Sequence, residues 1–143
     1  MFIGQYNNNM DVKKRLTFPA KLRAQIEGNV VLTRGLDGCL SVYTIDAWEQ
    51  VANKLAALPT TKVQARAYAR MVLSNAAEIE FDKNGRINIP NHLCELAKLS
   101  KSCIIIGAGN HMEIWDETRW LEYNESLEES FDDLASELID FEI

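Results

Sequence analysis

One nine-residue pattern occurs twice in the chain, and this repeat limits the fold more than any other feature. Asp11–Pro19 reads Asp-Val-Lys-Lys-Arg-Leu-Thr-Phe-Pro, and Asp82–Pro90, which lies 71 residues further on, reads Asp-Lys-Asn-Gly-Arg-Ile-Asn-Ile-Pro. Leu40–Tyr43 matches Met112–Trp115 at a spacing of 72, so we expect one inserted residue between the halves. Two copies are too few for a solenoid. The repeat therefore predicts a duplicated module whose halves pair as a pseudo-dimer.

The net charge of −6 is distributed very unevenly along the chain. Residues 1–75 carry ten Lys and Arg against five Asp and Glu, whereas residues 76–143 carry five against sixteen. The overall acidity taken alone argues against a nucleic-acid partner. The distribution, however, indicates a basic working face and an acidic appendage.

Length and apolar content fit one compact domain or two intertwined halves. No apolar run approaches the roughly 20 residues that a membrane span needs. Met1–Gly4 lacks the charged and apolar segments of a signal peptide, so none is expected. The three cysteines (Cys39, Cys94 and Cys103) form no Cys-x-x-Cys pair. We therefore expect buried thiols in a reducing cytoplasm, with neither a disulfide framework nor a metal site.

Each copy of the repeat is predicted to contain strands and one short helix. In the first copy the predicted elements are a strand over 4–10, a turn over 11–14, a strand over 15–18, a helix from Pro19 to Gly28, and strands over 30–34 and 39–43. Gly35–Gly38 reads as a hairpin loop because two glycines are available for positive φ. The second copy repeats this order, which predicts an α+β class.

Three helices are predicted outside these strands. Asp46 to Glu49 has capping-box spacing and starts a helix that reaches about Leu58. Thr60 or Thr61 caps a second helix that reaches about Leu73. Asp116 caps a long final helix. A heptad seam runs along that final helix at Trp120, Asn124, Leu127, Phe131, Leu134, Leu138 and Phe141. The seam must pack either against its own domain or against the same helix of a neighbour.

Catalysis is poorly supported by the sequence. His92 and His111 are far apart and neither lies in a ligand motif. No nucleophile elbow or triad motif is present, and Gly107-Ala108-Gly109 lies in a predicted hairpin and is too short for a phosphate-binding loop. We therefore expect no enzyme activity, no catalytic residues, no metal and no cofactor.

The repeated Asp-x-x-x-Arg segments have two compatible interpretations. Structurally, Asp11 and Asp82 each organise a tight turn, and each Arg pairs with the Asp of the other copy. Functionally, the first turn presents three cations in a row and the second presents a similar set. These cations could bind phosphates and reach base edges. The candidate DNA-binding residues are Lys13, Lys14, Arg15, Lys83 and Arg86.

A second basic feature lies on the middle predicted helix. Lys62, Arg66 and Arg70 are spaced four residues apart and so share one face. Most such stripes are merely solvated. Here the acidic final helix could pair with them within a chain or between subunits, or they could contact DNA. Both alternatives remain open at this stage.

Several of these strings resemble the bacterial MraZ family, which belongs to the AbrB/SpoVT superfamily. They are the doubled Asp-x-x-x-Arg, the string Leu32-Thr33-Arg34-Gly35-Leu36-Asp37-Gly38-Cys39-Leu40, Trp48, and Ala65-Arg66 with Arg70. The resemblance covers nearly the whole chain. It implies swapped-hairpin AbrB-like modules over 5–47 and 76–119 that form a β-barrel pseudo-dimer with flanking helices. A helical connector over 48–75 and an acidic C-terminal helix over 120–143 complete the expected domain organisation.

The resemblance also implies a function. It indicates a DNA-binding transcriptional regulator that recognises short G-rich direct repeats upstream of the division and cell-wall gene cluster, which contains its own gene. Expected partners are double-stranded DNA and further copies of the chain in a closed ring, with an octamer as the expected size, and no membrane or small-molecule substrate. The expected location is the cytoplasm, in association with the nucleoid. A protein-interaction ring that does not bind DNA is the alternative.

One position departs from the family pattern. Relatives usually carry Gly where this chain has Lys14, as the second copy does at Gly85. Lys adopts a positive φ less easily than Gly. We therefore expect the tight turn to form less easily in the first copy than in the second.

Overall fold

The computed structural model describes residues 1–142 and has an α+β fold. Its strands are β1 (Gln5–Asn9), β2 (Arg15–Thr17), β3 (Val30–Arg34), β4 (Leu40–Thr44), β5 (Ala77–Ile79), β6 (Arg86–Asn88), β7 (Ser102–Gly107) and β8 (Met112–Asp116). Its α-helices are α1 (Ala20–Arg23), α2 (Ile45–Ala56), α3 (Val63–Asn75), α4 (Asn91–Leu96), α5 (Glu117–Glu128) and α6 (Phe131–Ser136). Short 3₁₀ helices cover Leu36–Gly38 and Ile139–Phe141.

The two halves exchange their first strands. Six strands form one antiparallel sheet in the order β1-β7-β8-β4-β3-β5. Strand β1 of the first half pairs with β7 of the second half, and β5 of the second half pairs with β3 of the first. The central strands β4 and β8 pair in a register that is symmetric about Ser41 and Glu113. A pseudo-two-fold axis that relates the halves therefore passes between these two residues.

Strands β2 and β6 form a separate antiparallel ribbon, in which Leu16 lies opposite Ile87. These residues are counterparts in the repeat, and both are fully buried. Further buried counterparts surround them: Phe18 and Ile89, Leu22 and Leu93, Leu40 and Met112, Val42 and Ile114. A three-residue strand is too short to be stable without a pairing partner and a covered face. The core is therefore shared between the halves.

The two faces of the six-stranded sheet have different partners. Val42 faces the hydrophobic core that includes residues of the ribbon, α1 and α4. Thr33 lies on the opposite face, where its hydroxyl donates to the carbonyl oxygen of Val72 in α3 at 2.6 Å. On that same face Trp115 packs edge-on against Trp120 of α5. Because successive strand residues point to opposite faces, the ribbon lies on one side of the sheet, whereas α3 and α5 lie on the other.

The expectation of a single inserted residue is wrong. Strands β4 and β8 begin 72 residues apart, but the strand register makes Cys103 the counterpart of Val30, a spacing of 73. Strands β2 and β6 begin 71 residues apart. Two residues have therefore been added before β7, and one has been removed from the hairpin loop that follows it. Loops tolerate such changes in length, whereas strand register is fixed by the buried faces.

The acidic C-terminal region is not one continuous helix, as had been predicted. Asp116 does cap α5, because its carboxylate accepts a hydrogen bond from the backbone N–H of Arg119. The helix nevertheless ends at Glu128, and Ser130, with φ −95° and ψ 3°, leaves helical geometry before α6 begins. The predicted seam is therefore broken, and it does not form one apolar stripe.

Two predicted helix starts also change. Thr44, rather than Asp46, caps α2 by accepting a hydrogen bond from Ala47 N–H at 3.2 Å. Helix α3 begins at Val63 with no side-chain cap, so the predicted capping by Thr60 or Thr61 is wrong. Both shifts are within the usual uncertainty of helix ends.

The predicted α+β class and the duplication are confirmed, but a closed β-barrel is not. Among residues 1–142 the hydrogen-bonded sheet ends at β1 and β5, and the ribbon is a second, separate sheet. The four-part division into 5–47, 48–75, 76–119 and 120–143 stays a prediction. Within this part of the chain, none of the helices combines the length and apolar character that crossing a bilayer requires.

The shared core predicts matched losses of stability from the two halves. We expect Leu16→Ala and Ile87→Ala each to lower the free energy of unfolding by about 3 kcal/mol, because each removes buried methyl groups at the centre of the ribbon. Denaturant unfolding followed by circular dichroism measures both values. Val12→Ala, at a side chain that is 96% exposed, is the control and should change stability by less than about 0.5 kcal/mol. If only one of the two substitutions lowered the free energy of unfolding, the two halves would not share one core.

Candidate nucleic-acid interface

The carboxylate of Asp11 holds the first basic loop together. One oxygen, Oδ1, accepts hydrogen bonds from the backbone N–H groups of Lys13 and Arg15, both at 2.9 Å. The other, Oδ2, accepts from Nε of Arg15 at 2.6 Å. The backbone N–H of Lys14 donates to the Asp11 carbonyl oxygen at 3.0 Å. Asp11 therefore fixes the backbone of three consecutive cationic residues, and its carboxylate orients the Arg15 side chain.

The second loop repeats this geometry around Asp82. Its Oδ1 accepts from the backbone N–H groups of Asn84 and Arg86 at 2.8 and 3.0 Å, and its Oδ2 accepts from Nε of Arg86 at 2.8 Å. Each Arg thus pairs mainly with the Asp of its own copy, which corrects the expectation of pairing between copies. One cross-copy contact exists, between Nη1 of Arg86 and Oδ2 of Asp11 at 4.0 Å.

These hydrogen bonds lower the pKa of both carboxyl groups below the ordinary value of 3.8. For Asp11 the backbone N–H of Arg15 is the largest cause, and the Arg15 guanidinium and Lys13 N–H act in the same direction against a desolvation that opposes them. The pKa of Asp82 is lowered chiefly by the Arg86 backbone N–H. Both groups are therefore ionised at neutral pH, and each loop keeps its shape.

The two loops lie side by side on the ribbon. The backbone N–H of Phe18 donates to the Gly85 carbonyl oxygen at 3.0 Å, and that of Ile89 donates to the Lys14 carbonyl oxygen at 2.9 Å. Each loop is therefore fastened to the strand end of the other half. The structure brings all five sequence-predicted cations to this ribbon: Lys13, Lys14, Arg15, Lys83 and Arg86. Lys13 and Lys83 are exposed, and the other three are half-buried.

Lys14 adopts the left-handed conformation that its counterpart glycine also has. Its φ is 66°, and the φ of Gly85 is 74°. The first turn is therefore formed despite the change from glycine to lysine. A residue with a Cβ in this region costs roughly 1 kcal/mol or more, and the surrounding hydrogen bonds must offset that strain.

Arg23 is a cation of this surface that the sequence reasoning missed. It lies in α1, and its guanidinium occupies the space above Gly85, so that a Cβ built on Gly85 would overlap it. Its counterpart in α4 is Cys94, which lines a shallow cavity together with Lys14. Large and small residues are therefore exchanged between the halves: Gly85 lies under Arg23, whereas Lys14 lies beside Cys94. In the sequence, Gly85 indicates a turn but does not identify Arg23 as its neighbour, because the contact joins residues of different halves.

The basic stripe of α3 lies away from these loops. Helix α3 packs on the face of the sheet opposite the ribbon. Arg66 donates from Nη1 to the Thr60 carbonyl oxygen at 2.7 Å. Within residues 1–142, Lys62, Arg66 and Arg70 make no ion pair with an acidic side chain. This stripe and the two loops therefore lie on different faces of one chain. Among the described residues, the predicted pairing of the stripe with the acidic C-terminal region does not form.

The fold and the loops define a class: a duplicated α+β protein with exchanged strands and two basic turns, each organised by a carboxylate. Comparison with known families agrees with this description. The family model described as "MraZ protein, putative antitoxin-like" matches the chain twice, over residues 1–71 and 72–142. The chain therefore belongs to the MraZ family, which confirms the assignment made from the sequence, and its two halves are two copies of the family repeat.

The lowered pKa values of Asp11 and Asp82 predict that the stability of the folded protein falls at acidic pH. A lowered folded-state pKa contributes stability that is present above the unfolded value of about 3.9 and is lost as pH falls through the folded value. We expect carboxyl NMR titration to place the pKa values of Asp11 and Asp82 below 3.8. Arg15→Gln should raise the pKa of Asp11. The pKa of Asp82, whose arginine partner is Arg86, should stay unchanged and serves as the internal control. A normal pKa for Asp11 in the unmutated protein would contradict the hydrogen-bonded loop.

The exchange of large and small residues predicts opposite effects of two substitutions. Lys14→Gly should raise the free energy of unfolding by about 0.5–1 kcal/mol, because it relieves a left-handed lysine. Gly85→Lys should lower it by about 1–3 kcal/mol, because it adds both strain and a clash with Arg23. Combining Gly85→Lys with Arg23→Ala recreates the arrangement of the first loop and should recover part of that loss. Thermal or denaturant unfolding measures all three variants, and equal losses for the single and the double variant would argue against the clash.

Proposed function

We propose that this protein is a non-enzymatic, sequence-specific DNA-binding regulator of transcription. The observation that carries the proposal is the pair of carboxylate-organised loops, which gather five cations on one side of the molecule. Phosphate contacts by Lys and Arg supply most of the affinity of proteins for DNA. The family description as antitoxin-like also supports a regulatory role.

The arrangement of Arg15 suits the reading of bases. Its hydrogen bond to Asp11 uses Nε, and in the described part of the chain its two terminal nitrogens donate to no protein acceptor. A guanidinium held at Nε is pre-oriented, so its outer edge is available for the bidentate contact that Arg makes with guanine O6 and N7. Arg86 is held in the same way. This geometry supports the proposal that the targets are G-rich.

The net negative charge of the chain argues against DNA binding less strongly once the positions of the charges are considered. Helix α5 lies on the helical face of the sheet, away from the ribbon. Residues 120–142 contain nine acidic residues and no Lys or Arg. Exposed charges further apart than about 8–10 Å are largely screened at physiological salt. The carboxylates of α5, which the sheet separates from the ribbon, therefore oppose DNA binding there only weakly.

We further propose the finer features that the MraZ resemblance implies. The targets are short G-rich direct repeats upstream of the division and cell-wall gene cluster that includes the protein's own gene. The protein acts in the cytoplasm, on the nucleoid, and as a homo-oligomeric ring, with eight subunits as the expected size. Direct repeats in DNA all point in the same direction and lack a two-fold axis. Subunits that join head to tail also present their loops in the same direction, so the two arrangements match. Neighbouring subunits could then each bind one repeat and gain avidity.

The second candidate function is a protein-interaction ring that does not bind DNA. The observation that favours it is the net charge of −6. A gel shift with the DNA upstream of the protein's own gene, repeated across salt concentrations, separates the two functions. Specific binding that weakens with added salt supports the regulator. Equal and negligible binding to this DNA and to random DNA supports the second candidate.

Substitution of the loop arginines tests which residues read the DNA. We expect Arg15→Ala and Arg86→Ala each to weaken binding to the target by about 1–3 kcal/mol if the side chain contacts a base. A contact with phosphate alone would weaken binding to all sequences alike and reduce the salt slope by about one. Lys54→Ala, which removes an exposed cation from α2 on the opposite face of the sheet, is the matched control and should bind normally. Unchanged affinity in folded Arg15→Ala and Arg86→Ala proteins would contradict the proposed interface.

A further inference from the structure

The segment after α5, residues 129–142, exposes apolar side chains that the described residues 1–142 leave uncovered; we call it the tail. Phe131 is 72% exposed, Phe141 is 71% exposed and Ile139 is 75% exposed. Leu134 and Leu138 are 45% and 40% exposed. Exposed aromatic and aliphatic side chains gathered in a short segment mark an interaction site more often than they mark ordinary surface.

The tail is also uniformly acidic. Between its apolar residues it carries six acidic residues and no Lys or Arg: Glu129, Asp132, Asp133, Glu137, Asp140 and Glu142. Its partner surface should therefore combine apolar grooves with positive charge. An acidic partner, or a nucleic acid, would be repelled.

Helix α3 offers the complementary surface. The segment Thr60–Asn75 contains three basic residues and no acidic residue. Val63, Tyr68, Met71 and Leu73 are between 40% and 65% exposed along the helix. Two grooves flank it. One, of about 220 Å³, is edged by Arg66 and Arg70. The other, of about 270 Å³, is mainly apolar and is edged by Arg34 and Asp37.

These two surfaces remain apart within one chain. Helix α5, which leads into the tail, packs on β7 and β8, whereas α3 packs on β3 in the other half of the sheet. No ion pair joins the tail to α3 in residues 1–142. Helix α5 is the counterpart of α2. Helix α2 is followed by the 13-residue α3, whereas α5 is followed by the six-residue α6. The second half therefore has a tail where the first half has a packed helix.

We infer that the tail of one copy of this protein docks along α3 of a second copy. Apolar side chains of the tail fill the two grooves, and its carboxylates face Lys62, Arg66 and Arg70. The contact joins two different surfaces, so it is heterologous and adds subunits head to tail until the ring closes. This inference gives the self-association part of the proposed function its contact, and it needs no DNA.

Two variants and their mixture test the inference. The first ends at Glu128, where α5 ends, so it has an intact α3 but no tail. The second, Lys62→Glu with Arg70→Glu, changes an exposed residue just before α3 and an exposed residue within it, and keeps its tail. Lys21→Glu, which alters an exposed residue of α1, is the control for altered charge. Circular dichroism and thermal unfolding establish that each variant is folded, and light scattering gives its mass without DNA.

We expect the unmutated chain and the Lys21→Glu control to form the same large assembly and each of the two variants alone to be monomeric. An equimolar mixture of the two variants should form a 1:1 heterodimer of twice the monomer mass, because the tail of the second variant can dock on the α3 of the first. A mixture that stays monomeric, single variants that keep the full assembly, or an unmutated chain that is itself monomeric would each overturn the inference. Gel shifts with the unmutated protein report separately on DNA binding, so failure of this contact and failure of the proposed function are distinguishable.

Discussion

The pairing of β2 with β6 is the interaction on which the rest of the structure depends. Leu16 and Ile87 meet at the centre of this ribbon and are fully buried, and the strands are too short to be stable alone. The first strand of each half also pairs with a strand of the other half in the shared six-stranded sheet. The same ribbon fastens the two basic loops together, because each loop gives its carbonyl oxygen to the strand end of the other half. The core and the candidate interface therefore share the same ribbon.

Each carboxylate of the Asp-x-x-x-Arg repeat combines two roles that are usually separate. Asp11 and Asp82 complete their turns by accepting backbone hydrogen bonds, and they hold an arginine by Nε so that its outer edge is directed. An acidic residue in a basic loop therefore does not oppose the ligand. It fixes the loop backbone and the arginine guanidinium, and the entropy of ordering these groups is lost on folding rather than on binding.

Much of the fold and of the candidate site could be read from the sequence, and the failures have physical causes. Spacing identified the duplication and the strands, because strand faces and turns depend on local residue types. The end of α5 at Glu128 was missed because the heptad spacing continues past it, although the apolar residues that follow stay exposed. Arg23 was missed because its role depends on lying above Gly85. That contact joins residues of different halves, which no local pattern reveals.

The sequence by itself determined the repeat, the positions of the turns and the residues that carry charge, since these follow from side-chain chemistry and backbone preference over a few residues. Only the tertiary structure decided which strand pairs with which half, and that each Arg pairs with the Asp of its own copy. It also decided that Lys62, Arg66 and Arg70 lie on the opposite side of the sheet from the loops. These outcomes depend on burial and on distances between residues far apart in sequence. Such distances are fixed only when the two halves close around a common core.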